Sequence, residues 1–144
     1  MSEFHGTARQ QAKIVVICVM GLGMTLTGAL AASNACDGVK VEMTTVRKQE
    51  YAALVAAALE NKVKPAQVKF EAILESGDWS AAYASTPAAD DGMMFFQKVN
   101  GKKKFRDVWG GYAEPSEKPG LIAWAKKLGV PANLATCFAR TVTE

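Results

Sequence analysis

Met93-Met94-Phe95-Phe96-Gln97-Lys98-Val99-Asn100-Gly101-Lys102-Lys103-Lys104-Phe105-Arg106-Asp107-Val108-Trp109 decides the fold of this chain. Asn-Gly accepts positive φ at both positions and fits the two-residue type I′ turn of a β-hairpin. Met93 to Val99 is then one strand, and its unbroken apolar start predicts burial on both sides at one end. Lys102 to Trp109 is the returning strand, with Phe105 and Trp109 expected on one face.

Working backwards, Gln67 to Glu75 alternates. Val68, Phe70, Ala72 and Leu74 share one expected face, and Lys69, Glu71 and Glu75 the other, as in a half-buried strand. Ser76-Gly77-Asp78 is a turn. Trp79 to Ser85 is the next strand, with Trp79, Ala81 and Tyr83 on one face, and Thr86 to Gly92 is expected to be a loop. Upstream, Tyr51, Leu54, Val55, Ala58 and Leu59 recur at i, i+3, i+4, i+7 and i+8, which predicts an amphipathic helix over Val46–Asn61. Thr44 or Thr45 can cap it, and Val39, Val41 and Met43 alternate as a short strand or extended lead-in. Downstream, Leu121, Ile122, Ala125 and Leu128 have helical spacing and Gly129 is a natural stop. Pro131 starts a last short helix carrying Leu134, Cys137 and Phe138. The expected class is α+β: an N-terminal signal helix, then one long helix packed on a four-stranded antiparallel meander, with short C-terminal helices. One sheet face is expected to meet the helix and the other to stay wet.

The chain has 144 residues with a formal charge of +3, which suits one domain and not a dedicated nucleic-acid binder. Ile14 to Leu30 run for seventeen residues without a charge, followed by Ala31 in a small-x-small pattern. This pattern predicts a signal peptide over 1–31 and a single secreted α+β domain over 32–144, periplasmic or extracellular. An uncleaved anchor over Ile14–Ala32 or a lipoprotein acylated at Cys36 are the rival readings; in the anchor reading alone the protein meets the membrane. Losing Arg9, Lys13 and Glu3 with the signal leaves fifteen cations and thirteen anions. Cys18 falls within the apolar run. Cys36 and Cys137 remain, and in an oxidising compartment they are expected to pair in a structural disulfide.

The chemistry is defined mainly by what is missing. The only histidine, His5, lies in the signal region, so histidine-based catalysis and histidine-ligated metals are not expected in the mature chain. Asp90-Asp91-Gly92 with Asp78 offers oxygen ligands to calcium, but a solvated loop is the expected reading. Glu71 and Glu75, on the expected wet face, are the carboxylates a hydrolase would use, with a raised pKa as its mark. Lys102, Lys103, Lys104 and Arg106 form a basic cluster, expected to protect a sheet edge ahead of touching anionic polymers or headgroups. Trp109 and Tyr112 flank Gly110-Gly111 and are the candidate binding surface.

The run Ile73-Leu74-Glu75-Ser76-Gly77-Asp78-Trp79-Ser80-Ala81-Ala82-Tyr83 resembles a turn-then-Trp strand of small exported bacterial proteins of unknown function. Gly92 to Lys98, the hairpin to Trp109, and Leu128 to Pro131 extend the resemblance over about residues 45–138. It implies a cystatin-like or NTF2-like fold, in which a curved sheet cradles a helix, and no catalytic residue. Room for a single helix before the sheet favours the cystatin-like form.

The expected function is therefore an exported, non-catalytic, cofactor-free binding module. Its partner is an envelope or extracellular protein, in an interaction or inhibitor role, not a nucleic acid. The alternative is a small apolar ligand held between helix and concave sheet, in a pocket lined by Met93, Phe95 and Trp79 or their neighbours.

Overall fold

The computed structural model describes residues 34–144. The predicted signal peptide, with His5 and Cys18, lies outside the described residues. The order is α1 (Thr45–Ala58), β1 (Lys69–Ser76), β2 (Trp79–Thr86), β3 (Ala89–Val99), β4 (Lys102–Gly110), α2 (Lys118–Leu128) and α3 (Ala132–Thr141). Short 3₁₀ turns at Pro65–Gln67 and Pro115–Glu117 precede β1 and α2. The strands form one antiparallel sheet in the order β1-β2-β3-β4, the expected meander. The helices run 14, 11 and 10 residues, so the expected contrast of one long helix with short ones is not drawn.

Local signals place most boundaries. Thr44 caps α1, its side chain accepting from the Arg47 amide at 3.2 Å. The helix stops at Ala58, short of Asn61, because Glu60 and Asn61 take positive φ of 53° and 57°. Asn100 and Gly101 turn the β3–β4 hairpin with φ of 51° and 76°. Gly129 ends α2 at φ 105°, where an added Cβ would stand 3.3 Å from the Trp79 ring. Val39 to Met43 is an extended lead-in with a single bridge, Lys40 to Glu75.

Two expectations are corrected here. The loop over Thr86–Gly92 shrinks to Pro87-Ala88, because Thr86 pairs with Ala89 and β3 starts there. The second sheet face is not wet. α1 covers one face, packing Tyr51 and Val55 on Ile73, Ala82, Met94 and Phe96. α2 and α3 cover the other, setting Leu121, Leu134 and Phe138 on Leu74, Met93 and Phe95. The paired Met93-Met94-Phe95-Phe96 run thus feeds both layers.

The faces of β1 and β4 also differ from strict alternation. A bulge between Phe70 and Ala72 puts Val68 and Phe70 with α1 but Ala72 and Leu74 with α2 and α3. An extra residue, Arg106, between the pairs Phe95–Asp107 and Phe96–Phe105 puts Phe105 and Trp109 on opposite faces. One added residue inverts every side chain beyond it.

Cys36 and Cys137 form a disulfide across a separation of 101 residues, tying the start of the described chain to α3.

Candidate functional site

Two features of the α1 face stand out, one polar and one apolar. The polar one is a knot that joins α1 to both outer strands. The Tyr51 hydroxyl donates to Glu75 Oε1 at 2.6 Å. Lys103 Nζ reaches Glu75 Oε1 at 3.0 Å and Glu50 Oε1 at 2.7 Å, and sits 4.4 Å above the Tyr51 ring. Buried Arg47 approaches Glu75 Oε2 at 3.4 Å and donates to the Glu42 carbonyl. Burial pushes the Glu75 carboxyl up, but hydrogen bonds from Tyr51 and Lys103 and the nearby charges of Lys103 and Arg47 bring it below its ordinary value. Burial and the Glu75 bond push the Tyr51 phenol up to about 12. Burial opposes the charge on Lys103, yet its bonds to Glu50, Tyr51 and Glu75 raise its pKa.

Strict alternation along β1 puts Glu75 on a wet face. It lies under α1 because the β1 bulge and the helix put it there. Its lowered pKa is the reverse of what a catalytic acid needs, and its oxygens are engaged by three side chains. The knot's geometry is that of a clasp.

The apolar feature is a cleft of about 320 Å³ between the C-terminal end of α1 and the sheet. Ala84, Gly92 and Met94 form its floor, Ala58 and Leu59 one wall, and Phe105 and Val108 the other. Thr86 lies in the lining, with its Oγ1 buried and without a hydrogen-bond partner, and Asp90 stands at the rim. Phe105 is 42% exposed and Val108 46%, so the apolar surface continues out of the cleft along β4. A broader groove of about 660 Å³ lies between the start of α1 and Pro65–Phe70, where Thr45, Lys48, Gln49 and Lys69 mix with Val68 and Phe70.

The cleft is where the alternative sequence reading looked for a pocket, between helix and sheet, but its lining differs. Met93, Phe95 and Trp79 point the other way, into the α2–α3 layer. Their neighbours Met94 and Ala84 line the cleft instead. Of the two predicted surface aromatics, Tyr112 stands 66% exposed beside Tyr83, Asp90 and Asp91. Trp109 is half-buried, edge-on to Phe138 at 5.9 Å. Phe105 and Val108 were missed as surface residues. The bulge that exposes them leaves no mark in an alternating pattern.

The calcium reading joined Asp78 to Asp90 and Asp91. The register puts Asp78 beside the Trp79–Gln97 end of the sheet and Asp90 and Asp91 beyond Ala84–Gly92, at the other end. Among the described residues no group of three or more histidine, cysteine or carboxylate side chains is placed to hold a metal. Comparison of the chain with protein-family models, with curated proteins and with solved structures gives no match.

Proposed function

We propose that this protein is an exported, non-catalytic binding module that receives an apolar group of its partner in the cleft beneath the end of α1. The observation that carries the reading is the cleft itself, an apolar recess whose wall runs out into two exposed apolar side chains on β4. Small domains rarely leave such residues side by side on an edge strand without use. The partner is a protein of the envelope or exterior; a small apolar ligand would use the same recess.

Export is supported by the disulfide, which fits a non-cytoplasmic compartment. Among the described residues no helix is long and apolar enough to cross a membrane.

The test uses an apolar fluorescent reporter, an anilinonaphthalene sulfonate, on the oxidised chain and on Ala58→Phe. Ala58 is half-buried at the helix end, and a phenyl ring there fills the recess. Saturable binding to the parent, weakened about tenfold or more in the variant at equal Tm, is expected from loss of one buried ring-sized contact. Equal binding by both chains would place the apolar site elsewhere.

A further inference from the structure

The sheet has two edges and the chain treats them differently. At the β1 edge the lead-in closes over Glu75: Lys40 donates to the Glu75 carbonyl at 2.8 Å and its own carbonyl accepts from the Glu75 amide at 3.0 Å. At the β4 edge no strand pairs among the described residues. Alternate residues along Lys102–Gly110 therefore turn their backbone groups outward for a ladder, although the Val108 amide already donates to Asp107 Oδ1 at 2.8 Å.

Side chains on this edge are sorted by face. Phe105 and Val108 lie on the α1 face and continue the cleft. They are three apart yet on one side because Arg106 is the extra residue of the bulge. Lys102, Lys104 and Arg106 lie on the other face, Arg106 5.8 Å over the Trp79 ring. None of these three has a carboxylate within ion-pair distance among the described residues. Lys103, by contrast, is held in the knot by Glu50 and Glu75.

We propose that the outer edge of β4 is the docking line for an extended segment of a partner protein in which acidic residues alternate with apolar ones. The proposal rests on the binding-module reading and names the partner's chemistry. A strand added here turns alternate side chains to the two faces. Those on the α1 face meet Phe105, Val108 and the cleft mouth. Those on the other face meet Lys102, Lys104 and Arg106, where a carboxylate is favoured and an ammonium is repelled. A second copy of this chain fits less well. Its own β4 would bring the same three cations, with only Asp107 to offset them.

The experiment titrates the oxidised chain with a peptide of about eight residues, a typical strand length, alternating glutamate with leucine or valine. A peptide with lysine in place of glutamate is run in parallel, and amide exchange is followed by NMR. The expected result is that the glutamate peptide binds at least about tenfold tighter than the lysine peptide at low salt, through opposite-charge pairing. The outward amides of β4 gain protection, and Lys102→Glu with Lys104→Glu reverses the preference. Both lysines are exposed, so the variant keeps its core.

Equal affinity for the two peptides overturns the proposal. Binding without protection of β4 amides also overturns it. So does protection that rises with protein concentration in the absence of peptide, which would make the occupant a second copy. The apolar reporter separates the two readings: if it enters the cleft while the peptide fails, only the strand proposal falls, and if both fail, both fall.

Discussion

Glu75 shows how a single residue acquires its role from its surroundings. On paper it is one of the fourteen acidic residues of the chain, three positions past a strand alanine, Ala72. In the fold it accepts from Tyr51 and Lys103 and faces Arg47. Removing its charge with Glu75→Gln leaves buried Arg47 with only the exposed Glu42 carboxylate, 4.0 Å away, and weakens both other bonds. A loss of roughly 1–3 kcal/mol is expected, as for charged hydrogen bonds in partly buried settings, read by urea unfolding with the disulfide intact. The pH dependence follows the same residues. Glu75 titrates below its ordinary 4.5 when folded, so the unfolded chain holds the proton more tightly. Its contribution is present above that value and drains away as pH falls through the lowered folded pKa. At the other limit Tyr51 rises from 10.0 to about 12, so the folded chain keeps its proton longer. That contribution is full below pH 10 and is lost as pH climbs from 10 to about 12. Stability curves of the parent and Glu75→Gln should converge at acid pH; a constant gap down to low pH would assign the effect to packing.

Elements were legible where the signal was local. The Asn100-Gly101 turn and the Gly129 stop depend on residues within one turn of each other and stand where the sequence puts them, and of the two candidate caps, Thr44 and Thr45, it is Thr44 that caps α1. Gly101 has open space around an added Cβ, so a substitution there strains only the backbone. Gly101→Val is expected to lower stability by about 1–2 kcal/mol, the usual penalty for a left-handed side-chain-bearing residue. A melting curve checks it, and Gly101→Asn should lose much less, since asparagine tolerates that region. The elements that were misread are those whose facing depends on a partner strand. Arg106 and the Phe70/Ala72 step are bulges, and each exists only because the neighbouring strand holds its own register. No residue type announces them. Strict alternation therefore puts Phe105 with Trp109 and hides the exposed apolar pair Phe105–Val108.

At the scale of the whole molecule the sheet is a partition between two cores. The α2–α3 core holds most of the large buried side chains, with Phe138 packed edge-on against Phe95 at 5.1 Å. The disulfide anchors it by joining Cys36 to Cys137 on α3. In the chain-entropy account a closure of this length restricts the unfolded chain by about 4–5 kcal/mol, with measured values nearer 2–4. Reduction, or Cys36→Ser with Cys137→Ser, is expected to lower stability within that range. Calorimetry with and without reductant reads it, and an unchanged melting temperature would mean that the bridge adds nothing to the folded chain.

The amino-acid sequence by itself determined the class, the strand order, the turns at Ser76–Asp78 and Asn100-Gly101, the Gly129 stop and the two cysteines that pair. Each of these follows from composition, from periodicity or from neighbours a few residues apart. Only the tertiary structure decided that both sheet faces are covered, that Glu75 sits in a clasp rather than in water, and that the cleft is lined by Met94 and Ala84 rather than by Met93 and Phe95. The physical reason is common to all three. The face a strand residue occupies has a period of two, so it is set by register and bulges, which are properties of paired strands and of the helices that press on them.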